Sequence, residues 1–290
     1  MSDLRYEAPP TLDAAVALLA AAKGTARVLA GGTDVIVQMQ TDLIEPELLL
    51  DIKKIPELHR IEAGTGTFRI GAAVTCMELI EHSGFAKAWP GVVDAVKLIG
   101  SIQVKGRATL AGNLCNASPA ADSVPALIAA GAKVAIIGPN GARELAVEKI
   151  PTGPGKTSLA AGEIVTAVVF PQRAPRSADA YSRITPRTEM DIAVVGCGIN
   201  LTLDARGSCT AARVALGAVA PTALLVDEAA AALIGTSGDA AALDRLAAAA
   251  SAACRPIDDK RGTKEYRIKV AGVLAKRVAQ QALERARGSR

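Results

Sequence analysis

Aromatic residues are scarce in this chain of 290 residues: one Trp, three Tyr and three Phe, 2% in all, although half of the residues are hydrophobic. A core dominated by stacked rings is therefore excluded, and Ala, Val, Leu and Ile must fill it. The alanine runs point to helices packed closely together. Histidine is scarcer still, with His59 and His82 only, both in polar connecting segments. That removes the material for a histidine-ligated metal or a Ser/His/Asp triad. The five cysteines, Cys76, Cys115, Cys197, Cys209 and Cys254, are odd in number and too widely spaced for a zinc or iron–sulfur ligand pair. Buried thiols are the expectation.

Charge of one sign is also missing. The formal net charge is +4, with Lys and Arg scattered among Asp and Glu and no basic block, so no nucleic-acid surface is expected. The N-terminus has no charged segment followed by an apolar stretch, and no run of about 18 apolar residues occurs. A cytoplasmic protein without a membrane span is expected. Gly153-Pro154-Gly155-Lys156-Thr157 evokes a nucleotide-triphosphate loop, but that motif needs a glycine where Ile150 stands. The length implies two domains of roughly 100 to 200 residues each.

What is present is a pair of small, polar, nearly uncharged segments. The longer runs from Thr109-Leu110-Ala111-Gly112-Asn113 through Asn116-Ala117-Ser118-Pro119 to Asp122-Ser123 and Pro125, and the shorter is Ala30-Gly31-Gly32-Thr33-Asp34. Glycine lets the main chain approach a ligand, and Asn and Ser side chains supply donors. The same residues also make ordinary turns. Each segment, however, sits beside an apolar run, and two such loops suggest one extended ligand held from two sides.

Taken in order, Tyr6 to Pro10 reads as a short edge strand ended by prolines, and Thr11 as the cap of a helix through Leu12, Val16 and Leu19 up to Gly24. Arg27 to Ala30 is a strand leading to Gly31-Gly32. A helix from Val35 to Met39 would place Thr33 and Asp34 at its N-terminus, suited to phosphate oxygens, with Asp34 as the cap. Leu48 to Ile52 reads as a buried strand closing a first unit, and Phe68 to Val74 opens the next. Helices are expected from Thr75 toward Ser83 and from Pro90 to Ile99. Strands are expected over Lys133–Gly138, turned by Pro139-Asn140-Gly141, and over Ile164–Phe170, followed by a linker over Gln172–Ser177. Beyond it lie a polar, arginine-containing stretch Tyr181–Arg187, strands at Ile192–Val195, Ile199–Leu203 and Arg213–Leu216, and helices over Asp227–Ile234, Asp239–Ala253 and Glu265–Arg287, an α+β unit.

Together these residues resemble the FAD-binding medium subunit of the molybdenum hydroxylases, the carbon monoxide dehydrogenase and xanthine dehydrogenase family. The resemblance covers the whole chain and rests on Ala30–Asp34, on Thr109–Asn113 with Ala117-Ser118-Pro119 and Asp122, and on Gly153–Thr157 and Glu163–Pro171. Tyr181–Asp191, Ala215–Pro221 and Tyr266–Arg277 are similar to the family's C-terminal unit. It implies an α+β fold. A two-part FAD-binding domain of the vanillyl-alcohol-oxidase (PCMH) type would occupy residues 1–175, in parts of about 1–56 and 57–175, and a smaller α+β domain residues 178–290. No Gly-x-Gly-x-x-Gly follows a strand, in keeping with that fold.

By the same resemblance, Leu29, Ala30, Gly31, Gly32, Thr33, Asp34 and Val35, with Thr109, Leu110, Ala111, Gly112 and Asn113, would hold the diphosphate. Asp122 would bind further along the FAD, Ile99 and Val165 would lie against it, and Arg183 would stand near the flavin. The family's second segment usually reads Thr-Ile-Gly-Gly-Asn, so Ala111 replaces a glycine, harmless if its φ is negative; Arg183 replaces a common lysine. No residue is expected to be a catalytic acid or base. The implied partners are an iron–sulfur small subunit with [2Fe-2S] clusters and a molybdopterin large subunit, as a dimer of heterotrimers, with an external electron acceptor. The competing readings are a self-contained flavin dehydrogenase or oxidase of the same fold, with Cys115 the one candidate for covalent attachment, and a flavin-free scaffold subunit.

Overall fold

A computed structural model describes residues 4–22 and 25–288; Gly24, the expected end of the first helix, lies outside the described residues. The chain begins with β1 (Arg5–Glu7), α1 (Leu12–Ala21), β2 (Ala26–Leu29), α2 (Val35–Gln40) and β3 (Leu48–Asp51). The three strands pair in parallel in the order β1-β3-β2. The central strand is buried along its length and apolar from Leu48 to Leu50, as suits a parallel strand covered on both faces, and ends in the buried Asp51. Thr11 caps α1 through Ala14 N at 3.3 Å. Tyr6 is the last but one residue of the edge strand, which stops at Glu7 rather than running to the prolines. Its hydroxyl donates to Asp51 Oδ2 at 2.6 Å and so fastens the edge to β3.

The next elements are β4 (Ile61–Ala63), β5 (Phe68–Gly71), α3 (Cys76–Glu81), α4 (Ser83–Ala88), α5 (Pro90–Lys97), α6 (Ile102–Lys105), α7 (Leu110–Cys115) and α8 (Ser123–Ala129). They are followed by β6 (Lys133–Gly138), β7 (Gly141–Ala146), the small hairpin β8 (Pro151–Gly153) and β9 (Lys156–Thr157), and β10 (Ile164–Phe170). An antiparallel sheet forms in the order β4-β5-β10-β6-β7. β5 ends three residues short of Val74, because Gly71 packs under Leu58, where a Cβ would stand 2.2 Å from its carbonyl oxygen. Thr75 and Glu78 close a capping box at the head of α3. The Phe and Trp rings are gathered in one place, apart from the tyrosines: Phe68 meets Phe85, Phe85 meets Phe170 at 5.0 Å between centroids, and Trp89 lies on Phe170. One aromatic cluster thus anchors an otherwise aliphatic core.

The last part comprises β11 (Ser177–Ile184), β12 (Val195–Leu203), β13 (Cys209–Gly217), β14 (Leu224–Leu225), α9 (Asp227–Ala231), α10 (Ala240–Ala253) and α11 (Lys264–Gly288). The strands form an antiparallel sheet in that order. The polar stretch that begins at Tyr181 starts as the end of β11, through Ile184, and Ile192 to Val194 precede β12 rather than belonging to it. Tyr181 is buried because this sheet is covered on both faces, by α11 on one side and by α5 and α8 on the other. Small residues permit the close approach. A Cβ on Gly272 of α11 would stand 2.7 Å from Ala247 O of α10, and one on Gly91 of α5 would stand 2.6 Å from Ala180 N of β11. Buried Ala271, Ala275, Ala279 and Ala282 continue the α11 seam. Among the described residues no helix is long and apolar enough to cross a membrane.

Candidate functional site

A cavity of about 680 Å³ opens between the first three-stranded unit and the second. One wall is the turn after β2, with Ala30, Gly31, Gly32, Thr33, Asp34 and Val35 leading into α2. The facing wall is the N-terminal part of α7, with Thr109, Ala111, Gly112 and Asn113. Ile99 and Val165 also line it. Val165 reaches it because β10 breaks register between Val165 and Ala167, a bulge that re-aims side chains.

The two polar segments therefore do converge, but the second is not a loop. Leu110–Cys115 is helical, and Thr109 is its cap, accepting from Gly112 N at 2.9 Å. Ala111 is absent from the residues with positive φ, so the alanine that replaces a glycine sits without strain in the first turn. Gly112 is the open point of this wall: a Cβ there meets only Thr109 Oγ1, at 3.1 Å. The glycines of the first segment act differently. A Cβ on Gly31 would stand 2.0 Å from Arg107 O, so this glycine joins the two walls, and Gly32 has φ +82°.

The main-chain N–H groups of Gly31, Gly32, Thr33 and Ala111 have no acceptor among the described residues. Asn113 adds a side-chain amide whose oxygen is held by Ser123, from its hydroxyl at 2.6 Å and its N–H at 3.3 Å. Charge in the wall is sparse. Glu163 is clamped by Arg143 through contacts of 2.7 and 2.8 Å, and that hydrogen-bonded partner keeps its carboxyl below the usual range. Asp34 stands before α2, but its carboxylate makes no capping bond, contrary to the expectation. Desolvation raises its pKa, tempered by its exposure to solvent.

Four expected site residues are not in this wall. Leu29 and Leu110 are buried in the packing behind it. Asp122 and Arg183 pair with each other at 2.5 Å, and the second oxygen of Asp122 accepts from Tyr181 Oη at 2.9 Å. Burial pushes the Asp122 carboxyl up to about 6, against the pull of Arg183. This pair stands at the head of α8, beside Ser123.

Gln38 and the 159–162 turn, which carried no mark in the sequence, also line the cavity, together with Cys115, Asn116, Gly155, Thr157 and Glu163 from stretches that did. Gly155 N donates to Ala117 O at 3.1 Å, which folds the β8–β9 hairpin onto the end of α7. Ala117 itself has φ +51°, and its position between two polar residues was the signal for a sharp turn. The Cys115 thiol is pushed up to about 12 by burial. His82 caps α4 through Phe85 N, and His59 Nε2 bonds Lys53 O. Among the described residues no cluster of three or more His, Cys, Asp or Glu side chains is placed to hold a metal ion.

Comparison with known proteins gives a consistent result. Residues 2–173 match the FAD binding domain in molybdopterin dehydrogenase, and residues 161–282 match the CO dehydrogenase flavoprotein C-terminal domain. The carbon monoxide dehydrogenase medium chain of Afipia carboxidovorans is 36% identical over 283 residues, which span 97% of each chain. The xanthine dehydrogenase FAD-binding subunit of Escherichia coli O157:H7 is 32% identical over 98% of this chain and 97% of its own. Among solved structures, the Cu,Mo-CO dehydrogenase in its cyanide-inactivated form superposes with a TM-score of 0.93 at 35% identity, over 97% of this chain and 98% of that one.

Proposed function

The chain belongs to the family of FAD-binding medium subunits of molybdenum hydroxylases, and from that membership we propose that it is the FAD-carrying electron-transfer subunit of such a complex. Electrons reach it from iron–sulfur clusters and leave to an external acceptor, while substrate is oxidised on another subunit. The observation that carries this reading is the convergence of unpaired main-chain N–H groups from Gly31–Thr33 and Ala111, with the Asn113 amide, on one cavity. Its volume lies in the range of small-molecule and cofactor sites.

The residues fit the cofactor. A diphosphate removed from water needs several donors, and neutral N–H groups supply them without a lysine. Gly112 leaves space where a side chain would enter the cavity. Bound FAD supplies the redox chemistry. The chain's own residues bind and orient. The Gly31–Val35 turn and the α7 head hold the diphosphate from two sides, while Ile99 and Val165 give apolar walls. Asp122, fixed by Tyr181 and Arg183, supports the α8 head that carries Ser123.

In this reading residues 1–175 are the FAD-binding domain, in parts of about 1–56 and 57–175, and residues 178–290 the C-terminal domain. The partners are a small subunit with [2Fe-2S] clusters and a large molybdopterin subunit, assembled as a dimer of heterotrimers in the cytoplasm. The test is to mix the purified chain with FAD, remove the excess and record the absorbance. A stoichiometric flavin spectrum is expected; a colourless protein, even with its partners present, overturns the proposal.

A further inference from the structure

We propose that Gln38 and Asn116 form a clasp across the cofactor cavity that slows the escape of bound FAD; the proposal rests on the FAD reading above. Gln38 lies on α2 in one wall and Asn116 at the end of α7 in the other, and both line the cavity. Gln38 Nε2 donates to Asn116 Oδ1 at 2.8 Å. Among the described residues no other side-chain hydrogen bond or ion pair joins residues 4–55 to the chain beyond residue 59.

The surroundings make that single bond matter. α2 is six residues long, has no buried residue and lacks a side-chain cap, so little else holds it in place. Its beginning is fixed, because Gly31 packs directly on the Arg107 carbonyl. Its far end is tied to the opposite wall by Gln38. α2 is thus a short arm, anchored at Gly31 and fastened at Gln38, lying along the route between the two walls. With the clasp closed, a ligand held by the N–H groups of Gly31–Thr33 and Ala111 leaves only after this bond breaks. Gln38 and Asn116 act on residence time, as positioning residues, and take no part in the redox chemistry.

The full-length chain is loaded with FAD, and release is followed by the recovery of free-flavin fluorescence after dilution. Gln38→Met keeps the volume and removes the donor, and Asn116→Ala removes the acceptor. Each is expected to speed release about three- to tenfold, the range of one neutral hydrogen bond. The double variant should be no faster than the faster single, since both remove the same bond. Gln38→Glu should release slowly, its carboxylate accepting from the turned Asn116 amide. Both residues are half-buried, so the melting temperature of the flavin-free variants should match the parent and separate loss of the clasp from loss of the fold. Release at the parental rate, or single effects that multiply in the double variant, overturns the clasp. A parent chain that takes up no FAD overturns the cofactor reading and the clasp with it.

Discussion

Ser123 grips Asn113 by the oxygen end of its amide, with the hydroxyl at 2.6 Å and the main-chain N–H at 3.3 Å from Oδ1. A main-chain N–H can only donate, so the atom facing it must be the oxygen, and Nδ2 is left as the end that can donate to a ligand. The fully buried Ser123 therefore decides what Asn113 offers to the cavity.

Asn113→Asp would turn that donor into a negative charge beside a diphosphate and should weaken FAD binding about tenfold or more, at least ~1.4 kcal/mol. Ser123→Ala keeps the N–H contact and should cost only about two- to fivefold. Titration of flavin fluorescence gives both affinities. An Asn113→Asp variant that binds FAD as well as the parent would remove Asn113 from the diphosphate site.

The glycines of the two walls should separate binding from folding. Gly112→Leu projects into open cavity and should strip FAD while leaving the melting temperature within a few degrees, ~1 kcal/mol. Gly31→Leu drives into the Arg107 carbonyl and should lower the melting temperature of the flavin-free chain as well. Full flavin content in the Gly112→Leu variant would show that α7 does not face the cofactor.

Much of this arrangement was legible in the sequence, and the failures have physical causes. Val28-Leu29 before Gly31 and the nearly continuous apolar run over Ile164–Phe170 announce strands, because burial imposes their pattern. Thr109–Cys115 looked like a loop because Gly112 and Asn113 are poor helix formers. The Thr109 cap and the packing of Leu110 and Leu114 override that preference. Tyr181 to Arg187 showed only as a polar, arginine-containing stretch and not as a strand, since polar side chains in a strand are satisfied by partners distant in sequence, here Asp122. Gln38 carries no local signal, because its meaning lies in a contact with Asn116, 78 residues away, and Asn116 stood out only as one more donor of the longer polar segment.

The Asp122 carboxyl makes a prediction about pH. Desolvation holds it up to about 6 in the folded chain, opposed by Arg183, against about 3.9 when unfolded. Over that interval the folded chain holds a proton that the unfolded chain has released. The stability so gained is complete below about pH 4 and is lost as pH rises through about 6, on the order of 2 kcal/mol. Asp122→Asn should be less stable throughout, with Arg183 left unpaired, yet lack this fall. Urea unfolding of the flavin-free proteins between pH 4 and 7 compares the slopes; parallel profiles would place the Asp122 titration elsewhere.

Cys115 lines the cavity, yet its thiol, pushed up to about 12 by burial, is protonated at neutral pH in all but a tiny fraction. It is a poor nucleophile, and FAD should be held without a covalent bond. Acid precipitation should leave the flavin in the supernatant of both the parent and Cys115→Ser. Yellow colour in the parental pellet that the Ser variant lacks would reverse this conclusion.

The seat of α8 links the last sheet to the cofactor site. A Cβ on Gly198 of β12 would stand 2.6 Å from Pro125 O, and one on Gly217 of β13 would stand 2.7 Å from Pro125 Cγ. Both obstacles are main chain or ring and cannot swing aside, so Gly198→Ala must lift α8 from the sheet, at about 1–3 kcal/mol. α8 begins at Ser123, so the grip on Asn113 should loosen with it, and FAD affinity should fall together with the melting temperature. A variant that melts like the parent would mean that α8 is not seated on these glycines. One that melts lower but binds FAD unchanged would break the link from sheet to α8 to Asn113.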